Sequence, residues 1–431
     1  MANLNAFLVL GLLAALPAVA DVAGVSDVVV HSRWPWEAKV DISCALGTDA
    51  KDYDFDVTAT WDGQTTPVFI DTFVGPGAHA TTWDPADAGR TSTPVTNFRV
   101  AFTRVPVSER TYMFVDLVDK TVTYSSTYTQ DSGSHRRRVI PFRRVRAGVY
   151  TNGYENALQQ IPLDYGSNGL KTLASRGRTS LRQVAFSSDY YISIYKVTKA
   201  QWKNLGIGTE DNYNVIRDYY CNLRGSFDVG INWPTSGFAV TPDSKVGRCR
   251  AFLKGVIPSS FVLDLPTGTQ WEVAMRAGED GSHFWSLPQS LLNEGLNPGN
   301  ASATLTDMTN TLNRIAIWSG NQAAHTADGT RWNPGEMIPN AWNIYDPVGV
   351  GTYEWVLDTN FKGDAGVDPV GRPADTRSAN RKLVSNGYSS LLLECVPGEY
   401  FGGMPEADNA SGVTYGGFRL VLNTRNWMEG R

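Results

Sequence analysis

The stretch Leu265-Pro266-Thr267-Gly268-Thr269-Gln270-Trp271-Glu272-Val273-Ala274-Met275-Arg276-Ala277-Gly278 decides how the larger part of this chain is read. Thr267 and Gln270 stand three residues apart, the spacing of a capping box in which each side chain satisfies the other's backbone N–H. Trp271, Ala274 and Met275 follow as an apolar stripe at helical spacing. Gly278 supplies the stop. Val197-Thr198-Lys199-Ala200-Gln201-Trp202 repeats the construction: Thr198 caps, Gln201 reaches back, and Val197 and Trp202 occupy the staple positions. From Val139 onward Gly and Trp are frequent and short helical signals lie among loops. This predicts an α+β domain with much irregular structure over about residues 140–428.

The N-terminal part has a different period. In Lys51 to Trp61, Tyr53, Phe55, Val57, Ala59 and Trp61 alternate with Asp52, Asp54, Asp56, Thr58 and Thr60. Period two means one buried face and one wet face. Asp62-Gly63 follows, a two-residue hairpin signal. Further strand-like runs at Val68 to Phe73, Phe98 to Val105 and Thr111 to Leu117 predict an all-β sandwich, immunoglobulin-like or fibronectin-like, over residues 21–126. The Asp52-x-Asp54-x-Asp56 spacing is not a calcium loop, because Val57 and Gly63 stand where an EF-hand needs Gly and Glu. A polar connector over residues 127–139, ending in Arg136-Arg137-Arg138, is expected to be a solvated linker.

Composition bounds the function. The chain has 431 residues, 42% hydrophobic and 19% charged, which is globular and suits two or three domains. A net charge of −5 gives no electrostatic case for nucleic acid. The 13 Trp, 18 Tyr and 17 Phe suffice for large cores and for sugar- or peptide-stacking surfaces. Residues 1–20 are expected to be a signal peptide: Phe7 to Leu16 is apolar and Ala18-Val19-Ala20 is a small-x-small cleavage pattern. The run is too short for a comfortable membrane span, and no transmembrane anchor is expected elsewhere. Four cysteines, Cys44, Cys221, Cys249 and Cys395, allow three full pairings. Cys221 and Cys249 flank one aromatic, Gly-rich stretch and are the favoured pair. The five His show no metal-ligand spacing, and no P-loop, nucleophile elbow or H-E-x-x-H is present.

Taken in order, the motifs resemble the formylglycine-generating enzyme, or sulfatase-modifying-factor, family. Tyr191 to Trp202 is similar to its strand followed by E-V-T-x-x-x-Y/W, and Leu265 to Gly278 to its L-P-T-E-A-E-W-E-x-A-x-R-A-G helix. Trp318-Ser319-Gly320-Asn321 and Pro339-Asn340-Ala341-Trp342-Asn343-Ile344-Tyr345-Asp346 resemble its S-G-N and P-N-x-x-G-L-Y-D segments. Tyr353-Glu354-Trp355 is similar to its G-N-x-W-E-W, and Gly417-Phe418-Arg419 to its closing G-F-R.

The resemblance implies a C-type-lectin-like α+β fold. In active members it implies two cysteines, four residues apart, whose thiolates bind copper(I) to oxidise a sulfatase cysteine to formylglycine. Soft thiolates select that metal. Here the matching stretch holds Cys395 alone; the first thiol position falls near Ser390 or Leu391. One thiol does not make the pair, so the expected function is a non-catalytic binding or scaffold protein with a protein or glycan ligand. The alternative is an active oxidase with a rearranged site drawing its second thiol from Cys221 or Cys249. The resemblance also makes Asn321 and Glu354 candidate calcium ligands, although Gly351 stands where the motif has Asn.

Overall fold

The computed structural model describes residues 22–34, 36–61, 64–68, 76–88, 98–131, 133–160, 164–166, 169–171, 180–216, 218, 220–224, 240–258, 260–281, 310, 312–316, 333–346, 353–359, 366–369, 381–384, 400–404 and 416–424. The chain is rich in β-strands and divides into two compact units, Met1–Pro106 and Val107–Arg431.

In the first unit, β1 (Val25–Ser32), β2 (Val40–Leu46) and β5 (Gly77–Trp83) form one antiparallel sheet in the order β1-β2-β5. A second sheet has the order β4-β3-β6, from β3 (Tyr53–Trp61), β4 (Gln64–Val68) and β6 (Arg99–Pro106). Their inner residues share one core: Val40, Ile42 and Cys44 from one sheet meet Phe55, Val57 and Trp61 from the other. Trp61 and Trp83 pack at 4.6 Å between ring centroids. The alternation along β3 is seen from Phe55 to Trp61, whereas Asp54, expected on the wet face, is buried. Asp62 and Gly63 lie outside the described residues, but Trp61 opposes Gln64 across the ladder.

The boundary differs from the sequence reading. The strand at Thr111 to Leu117 was expected to complete the sandwich; instead β7 (Tyr112–Asp116) and β8 (Thr121–Ser125) enter the second unit. There β7 pairs with β9 (Val139–Val145), Tyr112 opposite Arg143 and Asp116 opposite Val139. Tyr112, Met113 and Val115 are all buried, so neither face of the strand is fully wet. A continuous apolar run of this kind marks an interior strand of a larger sheet.

That sheet also holds β14 (Tyr190–Ser193), β15 (Phe261–Asp264) and β21 (Val421–Thr424). Among the described residues its six strands run in the order β15-β21-β14-β9-β7-β8, all antiparallel. Among the described residues three smaller sheets accompany it. One joins β10 (Gly148–Asn152), β13 (Arg182–Phe186) and β17 (Gly366–Val367), and another pairs β11 (Asp164–Gly166) with β12 (Gly169–Lys171). The third has the order β19-β18-β16-β20, from β16 (Tyr353–Thr359), β18 (Arg381–Val384), β19 (Tyr400–Met404) and β20 (Gly416–Phe418).

Residues 127–139 are not a solvated linker either. Tyr128 and Tyr195 share a hydrogen bond of 2.6 Å between hydroxyls, Gln130 Nε2 donates to the Gly335 carbonyl at 2.8 Å, and Arg136 Nη1 donates to the Pro334 carbonyl at 2.8 Å. Thr198 Oγ1 donates to the Arg136 carbonyl at 2.6 Å, and Gln201 Nε2 to those of His135 and Val139. The capping residues of one helix therefore also hold this strap.

Both predicted helices form with both halves of their capping boxes, Lys199–Asn204 after Thr198 and Gly268–Arg276 after Thr267. The second is buried all round, beyond the expected stripe: every residue from Gly268 to Arg276 is buried. Trp271, Ala274 and Met275 pack with Ile192, Val356 and Val421, and full burial of one large apolar side chain contributes about 1.5–3 kcal/mol. Its carboxylate is satisfied inside. Glu272 accepts from the Gly153 N–H at 2.8 Å and from Arg182 at 2.5 Å. At the C-terminus Asn340 Nδ2 donates to the Ala274 and Met275 carbonyls, while its Oδ1 accepts from the N–H groups of Trp342 and Ile344. The helix ends on Ala277, in the left-handed region at φ 50°, followed by Gly278 at φ 73°. A Cβ at Gly278 would sit 2.9 Å from the Trp342 ring. Among the described residues, no helix is long and apolar enough to cross a membrane.

Ala277→Gly should raise stability by about 0.5–1 kcal/mol by removing left-handed strain. Thr267→Ala should lower it by about 1 kcal/mol. Urea titration of the two variants checks both signs.

Candidate functional site

The motif residues converge on one buried cluster in the second unit. Glu354 on β16 is fully inaccessible. Its Oε2 accepts from Trp271 Nε1 at 3.0 Å and from Arg419 Nε at 3.0 Å. Lys196 Nζ, equally buried, lies 3.5 Å from Oε1. Arg419 follows β20 directly and uses its whole donor fork. Nη1 donates to the Ser193 and Ile194 carbonyls at 3.3 and 2.7 Å, and Nη2 to those of Tyr345 and Asp346 at 2.5 and 2.9 Å.

Asp346 completes the set. Its Oδ2 accepts from the Gly335 N–H at 2.8 Å, and its Oδ1 has no hydrogen-bond partner. Burial pushes this carboxyl up to about 6, against the pull of the Arg419 and Lys196 charges. Burial lowers the Lys196 ammonium from its ordinary value, and Glu354 opposes that shift. Gly335 is required where it stands: its φ is 81° and a Cβ there would meet Tyr195 Cε1 at 2.4 Å.

Two cations and two carboxylates thus share one buried volume. Lys196 and Asp346 were missed as members of it. The signal for Lys196 was its place in the E-V-T pattern, where the motif carries a glutamate. An ammonium there supplies the second positive charge facing Glu354. The cluster does not fit calcium. A calcium ion takes six to eight oxygen ligands, whereas the Glu354 oxygens face an indole N–H, a guanidinium and an ammonium.

The remaining predicted residues are not brought to this cluster. Asn321 and Cys395 lie outside the described residues. Cys221 falls in the short helix Tyr220–Arg224, but its side chain is outside the description. Cys249, in the helix Lys245–Leu253, is buried and carries a free thiol, so the favoured Cys221–Cys249 bridge is absent. Burial pushes that thiol up to about 12. Cys44, in the first unit, is free as well, pushed up to about 11 by burial. Among the described residues, no group of three or more His, Cys, Asp or Glu side chains could hold a metal ion.

No family model matches the chain, and no curated protein matches it. Among solved structures it is similar to Treponema denticola variable protein 1, at 17% identity and a TM-score of 0.39, over 68% of this chain and 98% of that one. A likeness this loose says nothing of function.

The Asp346 shift sets a pH dependence. Its folded pKa, about 6, exceeds the ordinary 3.8, so its stabilising contribution is full below about 3.8 and is lost as pH rises through about 6. Asp346→Asn should therefore gain about 1–3 kcal/mol relative to the parent at pH 7.5 and lose that advantage at pH 4. Chemical denaturation at the two pH values measures it; equal differences at both would contradict the assignment.

Proposed function

We propose that this chain is an exported protein of the sulfatase-modifying-factor type whose scaffold is kept for binding or scaffolding rather than for forming formylglycine, with a protein or a glycan as its partner. The observation that carries this reading is the single cysteine, Cys395, in the stretch where the resemblance calls for two. The other motif residues support it as scaffold: Glu354 is sealed from solvent and held by Trp271, Arg419 and Lys196. The motif residues here act as internal framework.

The oxidase alternative needs a second thiol beside Cys395. Copper(I) binding requires thiolates. Cys249 is buried and held protonated, with its pKa pushed up to about 12, which disfavours it as that partner. The sheet orders β1-β2-β5 and β4-β3-β6 support an immunoglobulin-like or fibronectin-like first unit. Short helices among several small sheets support the lectin-like reading of the second. The apolar run and Ala18-Val19-Ala20 support export. The net charge of −5 supports a partner other than nucleic acid.

The test is direct. Incubated with copper, oxygen and a C-x-P-x-R peptide, the mature chain should leave the peptide mass unchanged; conversion of its cysteine to formylglycine would overturn the proposal. In parallel, Glu354→Gln should cost about 3–5 kcal/mol of stability, the loss expected when one partner of a buried ion pair is removed.

A further inference from the structure

The hairpin between β1 and β2 carries two exposed indoles. Trp36 is 87% exposed and Trp34 is 43% exposed. Two large apolar side chains displayed two residues apart on one loop call for a partner. The loop that carries them is braced. The Arg33 N–H donates to the Lys39 carbonyl at 2.9 Å, the Trp36 N–H to the Arg33 carbonyl at 3.0 Å, and the Trp34 N–H to Ser32 Oγ at 3.3 Å. The Arg33 guanidinium forks onto Asp41, Nε to Oδ2 and Nη2 to Oδ1, each at 2.8 Å, and Nη1 reaches Glu37 at 3.2 Å. This pair holds the Asp41 carboxyl below the usual carboxylate range. An aromatic loop fixed in advance loses little entropy on binding.

The ladder running into that hairpin presents a polar face. His31 opposes Asp41, and Asp41 opposes Thr82, so the three side chains form one row across the sheet. The Thr82 hydroxyl donates to Asp41 Oδ1 at 2.7 Å. The next row is Val29, Ser43 and Ala80. These six residues line an open groove of about 350 Å³. Its floor is small, and its polar groups are hydroxyls, an imidazole and a carboxylate already balanced by Arg33.

From these features we infer that this face is a binding site for a neutral oligosaccharide of pyranose rings. A sheet face offers side chains rather than free backbone groups, so a ligand cannot add to it as a strand. The charges beside the groove are paired, Arg33 with Asp41 and Glu37, which gives no field for a polyanion. A pyranose ring has an apolar C–H face that stacks on an indole and a hydroxyl rim that exchanges hydrogen bonds with Thr82, Ser43, His31 and Asp41. This site lies in the first unit and stands whether or not the second unit oxidises cysteine.

Affinity electrophoresis of the mature full chain through gels containing a β-glucan, a galactan or a mannan tests it, with Trp36→Ala and Thr82→Val alongside. At least one polysaccharide should retard the parent. Trp36→Ala should weaken binding about tenfold or more, as expected for an exposed aromatic anchor, with melting temperature unchanged. Thr82→Val should weaken it more modestly. Retardation by none of the three gels, or equal retardation of parent and both variants, would overturn the assignment. Binding confined to neutral lipid vesicles or to peptides, abolished by Trp36→Ala, would also overturn it in favour of another occupant. None of these outcomes bears on the C-x-P-x-R assay, so failure here and failure of the non-catalytic reading are separable.

Discussion

Arg419 is the side chain on which the second unit depends. Its fork reaches Ser193 and Ile194 at the end of β14, Tyr345 and Asp346 in the segment after the Asn340 cap, and Glu354 on β16. Those elements are far apart in sequence, and one planar group joins them. No other side chain offers five N–H donors in a fixed plane, and none holds its charge so firmly when buried. A lysine would lose the geometry. Glu354 makes the guanidinium tolerable by balancing its charge, and through Trp271 it connects the buried helix to the same point.

How much was visible beforehand depended on how local the determinant was. Both capping boxes, at Thr198 and Thr267, were legible because four consecutive residues specify them. The β3 alternation was legible from Phe55 to Trp61 for the same reason. The end of the first unit was not. Tyr112 to Asp116 looks like another sandwich strand, and only its pairing with Val139 to Val145 assigns it to the second unit. The strap over residues 127–139 was misread because its anchors, Gly335, Pro334 and Tyr195, are distant in sequence. Asp346 was visible as a motif residue, but nothing local says that its Oδ1 ends up buried without a donor.

The candidate site shows the same division. Glu354, Trp271 and Arg419 were all visible as motif residues, but not their pairing, because a buried charge is balanced by whatever the fold brings near. Lys196 follows from that requirement: with Asp346 also enclosed, one guanidinium leaves the cluster short of positive charge. The outward features of the first unit obey another logic. There Arg33 and Asp41 are half exposed, and their pairing shapes a loop rather than sustaining a core.

The docking of residues 127–139 has a consequence for the arginine run at its end. Arg136 donates to the Pro334 carbonyl, Arg137 pairs with Asp211, and Arg138 pairs with Asp116 and Asp119. The backbone there is folded into turns closed on Ser134, with the N–H groups of Arg137, Arg138 and Val139 all donating to its carbonyl. A processing protease binds its substrate as an extended strand, with the basic side chains inserted in its own acidic pockets. Such an enzyme would first have to unfold this strap and strip each guanidinium of its partner. The tribasic sequence, which on paper invites cleavage, thus lies protected inside the second unit, well past the boundary at Pro106.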